Sequence, residues 1–323
     1  MSMNVTDFKW ADPRYKKSRV GYYMDEYLAM NLMGIPAYLS NSYDVVGIIS
    51  GHGKVRVGKS TIAQQVGYFI AWLIAGGAMA QEESTSRWFI SNHPTKKIRF
   101  SVEENIVFSP EELQVKAREL FNKYGRNQVI IYDEGRAGLD SSAAMTSINK
   151  AMQDFFQECG QYGHVILIVL PNFFKLHEDY AISRSLFLID AFANKRMERG
   201  YFNFYNESQK EALYLNGRKK TGTGSKYAGA RPSFSGRFSA FLPLNKDVYE
   251  KAKQDAIKQK EVKIVEKKWK RQRDAAIALL YQSGVSIADI VEGIGAMSQM
   301  GITETQIKFA IKSATGIKDG TKL

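Results

Sequence analysis

Residues 50–61 read SGHGKVRVGKST, with three glycines, three basic side chains and a Ser-Thr pair in twelve positions. The stretch from Gly53 to Ser60 satisfies G-x-x-x-x-G-K-[ST], a P-loop. Each residue type has a role in holding phosphate. Gly53 and Gly58 let the backbone curl until successive N–H groups point at phosphate oxygens. Lys59 is expected to reach the β- and γ-phosphates, and the Ser60 hydroxyl to ligate Mg²⁺. Lys54, Val57, Gly58 and Thr61 complete the expected contacts, and a following helix would aim its positive N-terminal dipole at the same anion. The expected ligands are therefore ATP and Mg²⁺. The bland alternative is a basic surface loop, and the apolar strand before the motif and the helix after it argue against that.

The second half of such a site is NQVIIYDEGRAGLDSS. Its apolar run delivers Asp133 and Glu134 at a strand's C-terminal end, where ligands bind in open α/β sheets. Asp133 is expected to hold Mg²⁺, usually through water, and Glu134 to act as general base on the attacking water. An Asp-Glu pair points to the P-loop branch with an extra strand between the P-loop strand and the acidic strand. HVILIVLPN is the candidate for that strand. Asn172 at its end could orient the water, or Pro171-Asn172 could simply make a turn. An arginine reaching across a subunit interface would stabilise transition-state charge. Arg184 is the first candidate and Arg136 the second, and either could equally be solvated.

These residues need a scaffold. Buried strands are expected over 45–50, 105–108, 129–132, 165–170 and 186–189, with helices over 59–78, 110–123 and 142–161. Ser109 is expected to cap the second helix, with Glu112 three residues on. Short apolar strands alternating with helices argue for an α/β fold with a mainly parallel sheet covered on both faces. Segments 201–205 and 212–215, separated by NESQKE, read as an edge hairpin. Residues 1–40 are expected as an N-terminal arm, 41–216 as the P-loop core, 217–245 as a basic flexible loop returning to the core, and 246–271 as a linker helix. Residues 272–323 are expected to form a small all-α unit.

The order of P-loop strand, NIVFSPEEL, VIIYDEGR, VILIVLPN, a basic ISRS and RGYFNFYN resembles the compact motor ATPases of the FtsK/HerA superfamily. That group includes viral packaging ATPases and zonular occludens toxin-like phage proteins, and the likeness covers roughly residues 40–216. It implies a RecA-like P-loop fold and a homo-oligomeric ring, most often a hexamer. It also implies ATP hydrolysis between subunits, DNA moved through the centre, and a capsid or other assembly protein as a further partner. One departure is Asn172, where these motors often carry glutamine. Lys54 also sits where partitioning ATPases place a signature lysine, but Val55-Arg56 replace the Gly-Gly that follows it there, so that match is accidental.

The chain carries 45 Lys and Arg against 33 Asp and Glu, a net charge of +12, which suits a polyanionic partner. In residues 216–239, Arg218, Lys219, Lys220, Lys226, Arg231 and Arg237 alternate with Tyr227, Phe234 and Phe238, a mixture suited to DNA. The alternative is a merely solvated loop. KKWKRQR at 267–273 is a second basic run, equally readable as a solvated helix face. From 272, two helices around a turn at Ser283-Gly284, capped by Ser286, precede a third capped by Thr303 and Gln306. Ile277, Leu280, Ile287, Ile290, Ile307 and Ile311 would form its core. Helix-turn-helix spacing would turn Thr305, Gln306, Lys308 and Lys312 toward a DNA groove. A three-helix cap or oligomerisation module is the alternative. DNA translocation is thus one expectation, and a nucleotide-controlled switch that binds protein or one DNA site is the other.

The lone Cys159 fits a reducing, cytoplasmic compartment, and the opening residues carry no apolar secretory run. The apolar stretch 66–80 is shorter than the roughly 20 residues that span a bilayer and is expected to be a buried helix.

Overall fold

Strand β1, Val45–Ser50, is buried at every position. An uninterrupted apolar run is what the centre of a parallel sheet requires, because both faces are covered. On one side β1 pairs in parallel with β6, Val165–Val169, and on the other with β7, Phe187–Phe192. The computed structural model of the chain describes residues 24–52, 56–81, 83, 88–133, 153, 162–219, 226–298 and 301–315. It is an α/β fold with a seven-stranded, mostly parallel sheet and helices at the C-terminus. Sheet order is β4-β5-β6-β1-β7-β8-β9, with β4 at Ile106–Val107, β5 at Val129–Asp133, β8 at Tyr201–Tyr205 and β9 at Phe234–Arg237. The first five strands run parallel, and β8 and β9 return antiparallel at one edge. Strand β6 therefore lies between β1 and β5.

Two short helices, α1 (Glu26–Leu32) and α2 (Ile35–Ser40), precede β1. Helix α3, Lys59–Ile74, is buried from Ile62 to Leu73 and lies on one sheet face. It ends at Gly76, whose φ of 99° is the left-handed geometry that stops a helix. The helix expected to reach residue 78 is thus shorter. The chain goes on into a separate hairpin of β2 (Ala78–Gln81) and β3 (Trp88–Asn92). Among the described residues no helix is long and apolar enough to cross a membrane.

A four-residue helix α4, Val102–Asn105, shortens the strand expected over 105–108, because Ser101 Oγ accepts from Glu104 N–H at 3.2 Å and starts a helical turn. Helix α5, Pro110–Tyr124, is capped as expected: Ser109 Oγ accepts from Glu112 N–H at 3.2 Å, while Glu112 accepts from Phe108 N–H at 3.0 Å. It covers the second face, where Leu113 and Leu120 pack with Val46, Ile48, Ile130 and Ile168. The helix expected over 142–161 lies outside the described residues except at Gln153.

The expected strand at 212–215 is instead part of helix α6, Glu207–Lys219. Asn206 starts it by accepting from Gln209 N–H at 3.0 Å, and its buried positions Lys210, Leu213, Tyr214 and Gly217 follow helical spacing. Of the basic segment expected as a loop that returns to the core, residues 220–225 lie outside the described residues, and the part from Lys226 onward carries regular structure. Residues Lys226–Gly229 form a 3₁₀ turn around buried Tyr227, and β9 pairs with β8. Alternating half-buried residues along β9, including Phe234, provide the apolar face that a strand needs.

The chain divides after Lys253 into two units. The expected linker and the first helix of the C-terminal unit are one helix, α7, Lys246–Gln282. In the second unit α8 (Ile287–Ser298) and α9 (Glu304–Thr315) pack with Ile277 around Ile290, Ile307, Ala310 and Ile311. Ser286 and the reciprocal Thr303–Gln306 pair cap these helices as expected. Leu280, expected in that core, is 46% exposed, because the buried stripe of α7 there runs through Ile277 and Ala278.

Candidate functional site around the P-loop

Strand β1 ends at Ser50 and α3 begins at Lys59, so the described residues between them sit at the C-terminal edge of the parallel strands. Gly53 and Lys54 lie outside the described residues, as do Glu134, Arg136 and Lys220. Gly58 has a φ of 97°, and a Cβ there would stand 2.8 Å from the Phe238 ring. Being glycine it gives α3 no side-chain cap. The Lys59 side chain folds back over Gly51, whose added Cβ would come within 2.9 Å of Lys59 Nζ. Val57 is buried, while Ser60 and Thr61 in the first turn of α3 are half-buried.

Ser60 and Asp133 come together, although separate elements carry them. One ammonium bridges them: Lys253 Nζ lies 3.3 Å from Ser60 Oγ and 3.3 Å from Asp133 Oδ2. It also donates to Tyr249 Oη at 2.9 Å, and the Tyr249 hydroxyl donates to the same Asp133 oxygen. Asp133 and Tyr249 are each 3% exposed. Burial, followed by the charge of Asp133, pushes the Tyr249 hydroxyl above its ordinary range. Tyr249 and Lys253 are one helical turn apart at the start of α7, so one face presents both.

The chain reaches that point by crossing α3. Phe238 covers Gly58, and Gln65 Nε2 donates to Ser239 O at 2.9 Å and Phe241 O at 2.7 Å. Asn245 then starts α7 by accepting from Asp247 N–H at 2.9 Å. Nothing in the sequence had marked Tyr249 or Lys253. The only available signal was an i, i+4 Tyr-Lys pair in a helix rich in both charges.

A second polar cluster holds the loop's entry. Asp190 is fully buried and accepts from Ser50 Oγ at 2.6 Å, from His52 N–H at 2.8 Å, and pairs with His52 Nδ1. The His52 ring stacks on Tyr227 at 4.1 Å. Tyr227 donates to Ser50 Oγ at 3.2 Å and accepts from Phe173 N–H at 3.3 Å. Burial and then the charge of Asp190 push the Tyr227 hydroxyl up. Asp190 and His52 were also missed, since a lone acid inside an apolar strand carries no pattern.

Asn172 follows β6, where Oδ1 accepts from Phe174 N–H at 3.0 Å and caps the 3₁₀ turn Phe173–Lys175. Arg184 closes a π-helical turn, Asp179–Arg184, and is exposed. That turn is held by buried Lys210, whose Nζ donates to Ile182 O at 2.8 Å, Ser185 Oγ at 2.7 Å and Ser185 O.

The described basic residues of 216–239 are all exposed, and two of them hold partners within the chain. Arg218 donates to Tyr214 Oη at 3.0 Å, and Arg237 lies over the Tyr201 ring at 4.8 Å, so each has an intramolecular partner. Lys219, Lys226 and Arg231 are exposed. The end of α6 meets the following turn, where Asn216 Nδ2 donates to Gly229 O at 3.1 Å. In the second unit Gln306 Oε1 accepts from Thr303 N–H at 3.0 Å, which uses that oxygen in the cap. Lys308 pairs with Glu304 at 3.3 Å, and Thr305 and Lys312 are exposed on α9. No protein-family model matches the chain, and no curated protein matches it.

Proposed function

We propose that the chain is a Mg²⁺-dependent ATPase of the P-loop class with a RecA-like core. One observation carries this reading: a hydroxyl opening α3 and a carboxylate ending β5 converge on a single cation, Lys253 Nζ, at 3.3 Å from each. Hydroxyl and carboxylate oxygens on two rigid elements are a donor set that suits a hard divalent ion. Bound magnesium would supply charge neutralisation across the β- and γ-phosphate oxygens. Lys59 and the N-terminus of α3 hold phosphate, and Ser60 and Asp133 hold the metal. Glu134, directly after β5, takes the proton from the attacking water, giving ADP and phosphate. The position of β6 between β1 and β5 supports the RecA-like assignment.

The activity is coupled to DNA movement in a homo-oligomeric ring, with Arg184 acting across the subunit interface. Net charge of +12 and the exposed Lys219, Lys226 and Arg231 support this partner. The test is steady-state ATP turnover with and without double-stranded DNA at low and moderate salt. Several-fold stimulation that fades with salt and vanishes in Lys59→Ala is the expected result. Turnover indifferent to DNA removes the translocase reading. It leaves the second reading, a nucleotide-controlled switch, which the contact of α7 with Ser60 and Asp133 favours.

A further inference from the structure

We infer that the start of α7 is a built-in strap whose Lys253 ammonium holds the metal position until the metal–nucleotide complex displaces it. The inference rests on the nucleotide-site reading above and adds a regulation to it. Lys253 Nζ contacts both expected metal-ligand oxygens, Ser60 Oγ and Asp133 Oδ2, each at 3.3 Å. Magnesium binds its oxygen ligands at about 2.1 Å. An ammonium on the same two oxygens would stand within a few ångströms of the ion, where two cations repel strongly. Tyr249 reinforces the closure by donating to Asp133 Oδ2, the oxygen that Lys253 also takes. The metal and the strap therefore compete for one carboxylate.

The strap is anchored upstream and has room to move downstream. Gln65 pins Ser239 and Phe241 to α3 at 2.9 and 2.7 Å. Beyond that anchor, Leu242, Leu244 and Val248 line a cavity of 420 Å³ together with Phe100 and Val102. The first two turns of α7, which carry Tyr249 and Lys253, lie beyond that anchor and pair with no strand of the sheet. By linkage, whatever loosens these turns tightens metal–nucleotide binding, and metal–nucleotide binding loosens them by the same factor. A lysine retained as a phosphate contact makes the opposite prediction, because its removal would weaken binding.

The deciding experiment measures binding of a fluorescent non-hydrolysable ATP analogue to the full chain, with Mg²⁺ and with EDTA. The proteins are wild type, Lys59→Ala, Tyr249→Phe, Lys253→Ala and the length-matched Lys253→Met. Both Lys253 variants should bind the analogue about tenfold more tightly with Mg²⁺, with a smaller gain in EDTA. Backbone hydrogen exchange over residues 246–253 of the wild type should accelerate when Mg²⁺ and the analogue are added. Unchanged or weaker binding by both Lys253 variants, or slowed or unchanged exchange over 246–253, overturns the strap. If the wild type binds and Lys59→Ala does not, the nucleotide site stands whatever the Lys253 variants do. If no folded variant binds with or without Mg²⁺, the ATPase reading falls and the strap falls with it.

Discussion

The carboxylate of Asp190, fully buried in β7, accepts a hydrogen bond at 2.8 Å from the backbone N–H of His52, at the entry to the P-loop. His52 has a φ of 55°, a left-handed conformation that non-glycine residues rarely adopt. Such a conformation persists where surrounding contacts over-determine it, and here the His52 ring also rests on Tyr227 at 4.1 Å. Asp190→Ala should therefore cost about 3 kcal/mol in denaturant unfolding, since three donors lose a buried charged acceptor. Asp190→Asn should cost less and still weaken nucleotide binding. A fully stable Asp190→Ala protein would show that the cluster does not hold the loop.

Lys210 connects pH to stability. Burial lowers its ammonium to about 8 from an ordinary 10.5, against the pull of Glu207 and Glu211. Between those two values the unfolded chain binds more protons than the folded one, so stability rises with pH. Raising pH from 8 to 10 should add at most roughly 2 kcal/mol, an upper bound because three oxygens accept from the ammonium. Tyr205 and Tyr227 act in the opposite direction. Burial raises both above the ordinary 10.0, so above pH 10 the unfolded chain ionises first and stability falls. Urea unfolding across this range should show a maximum near pH 10, and Lys210→Met should flatten the rise below it.

The second unit has a small core of Ile277, Ile290, Ile307, Ala310 and Ile311. Ile307 is fully buried, and Ile307→Ala should cost about 2–4 kcal/mol. A core that small has little reserve. The side-chain methyl signals of α8 and α9 should collapse in NMR spectra while those of the β-sheet persist. Simultaneous loss of both sets would make the two units one cooperative block.

Lys219, Lys226 and Arg231 should matter to DNA more than Arg218, whose guanidinium is tied to Tyr214 Oη. Charge removal at Lys219, Lys226 or Arg231 should lower the slope of log affinity against log salt by about 0.9 per lost phosphate contact. Arg218→Gln, which breaks a 3.0 Å bond to Tyr214 Oη, should instead change thermal stability and leave the slope nearly intact. Fluorescence anisotropy with duplex DNA at several salt concentrations separates the two effects.

Much of the scaffold was legible because its signals are local. The strands at 45–50 and 165–169 are fully buried, mostly apolar runs, and Ser109 with Glu112 is a cap readable in four residues. Ala212 to Leu215 was misread as a strand because a short apolar run fits either period. The buried set Lys210, Leu213, Tyr214 and Gly217 becomes visible only once the lysine counts as an interior residue. Leu280 was misassigned to the C-terminal core for a similar reason, since the choice between neighbouring helix faces depends on what packs there.

By itself the sequence determined the alternation of strands and helices, the glycine loop before α3, and the acid ending β5. Each is written in adjacent residues with a fixed period or a fixed motif. Only the tertiary structure decided that Lys253 and Tyr249 share the carboxylate of Asp133, and that Asp190 grips His52. Those partners lie 116 to 138 positions apart, and a hydrogen bond across that distance leaves no periodic trace in the chain. It forms because the sheet gathers the C-terminal ends of its strands along one edge, where buried polar groups must find partners or lose stability.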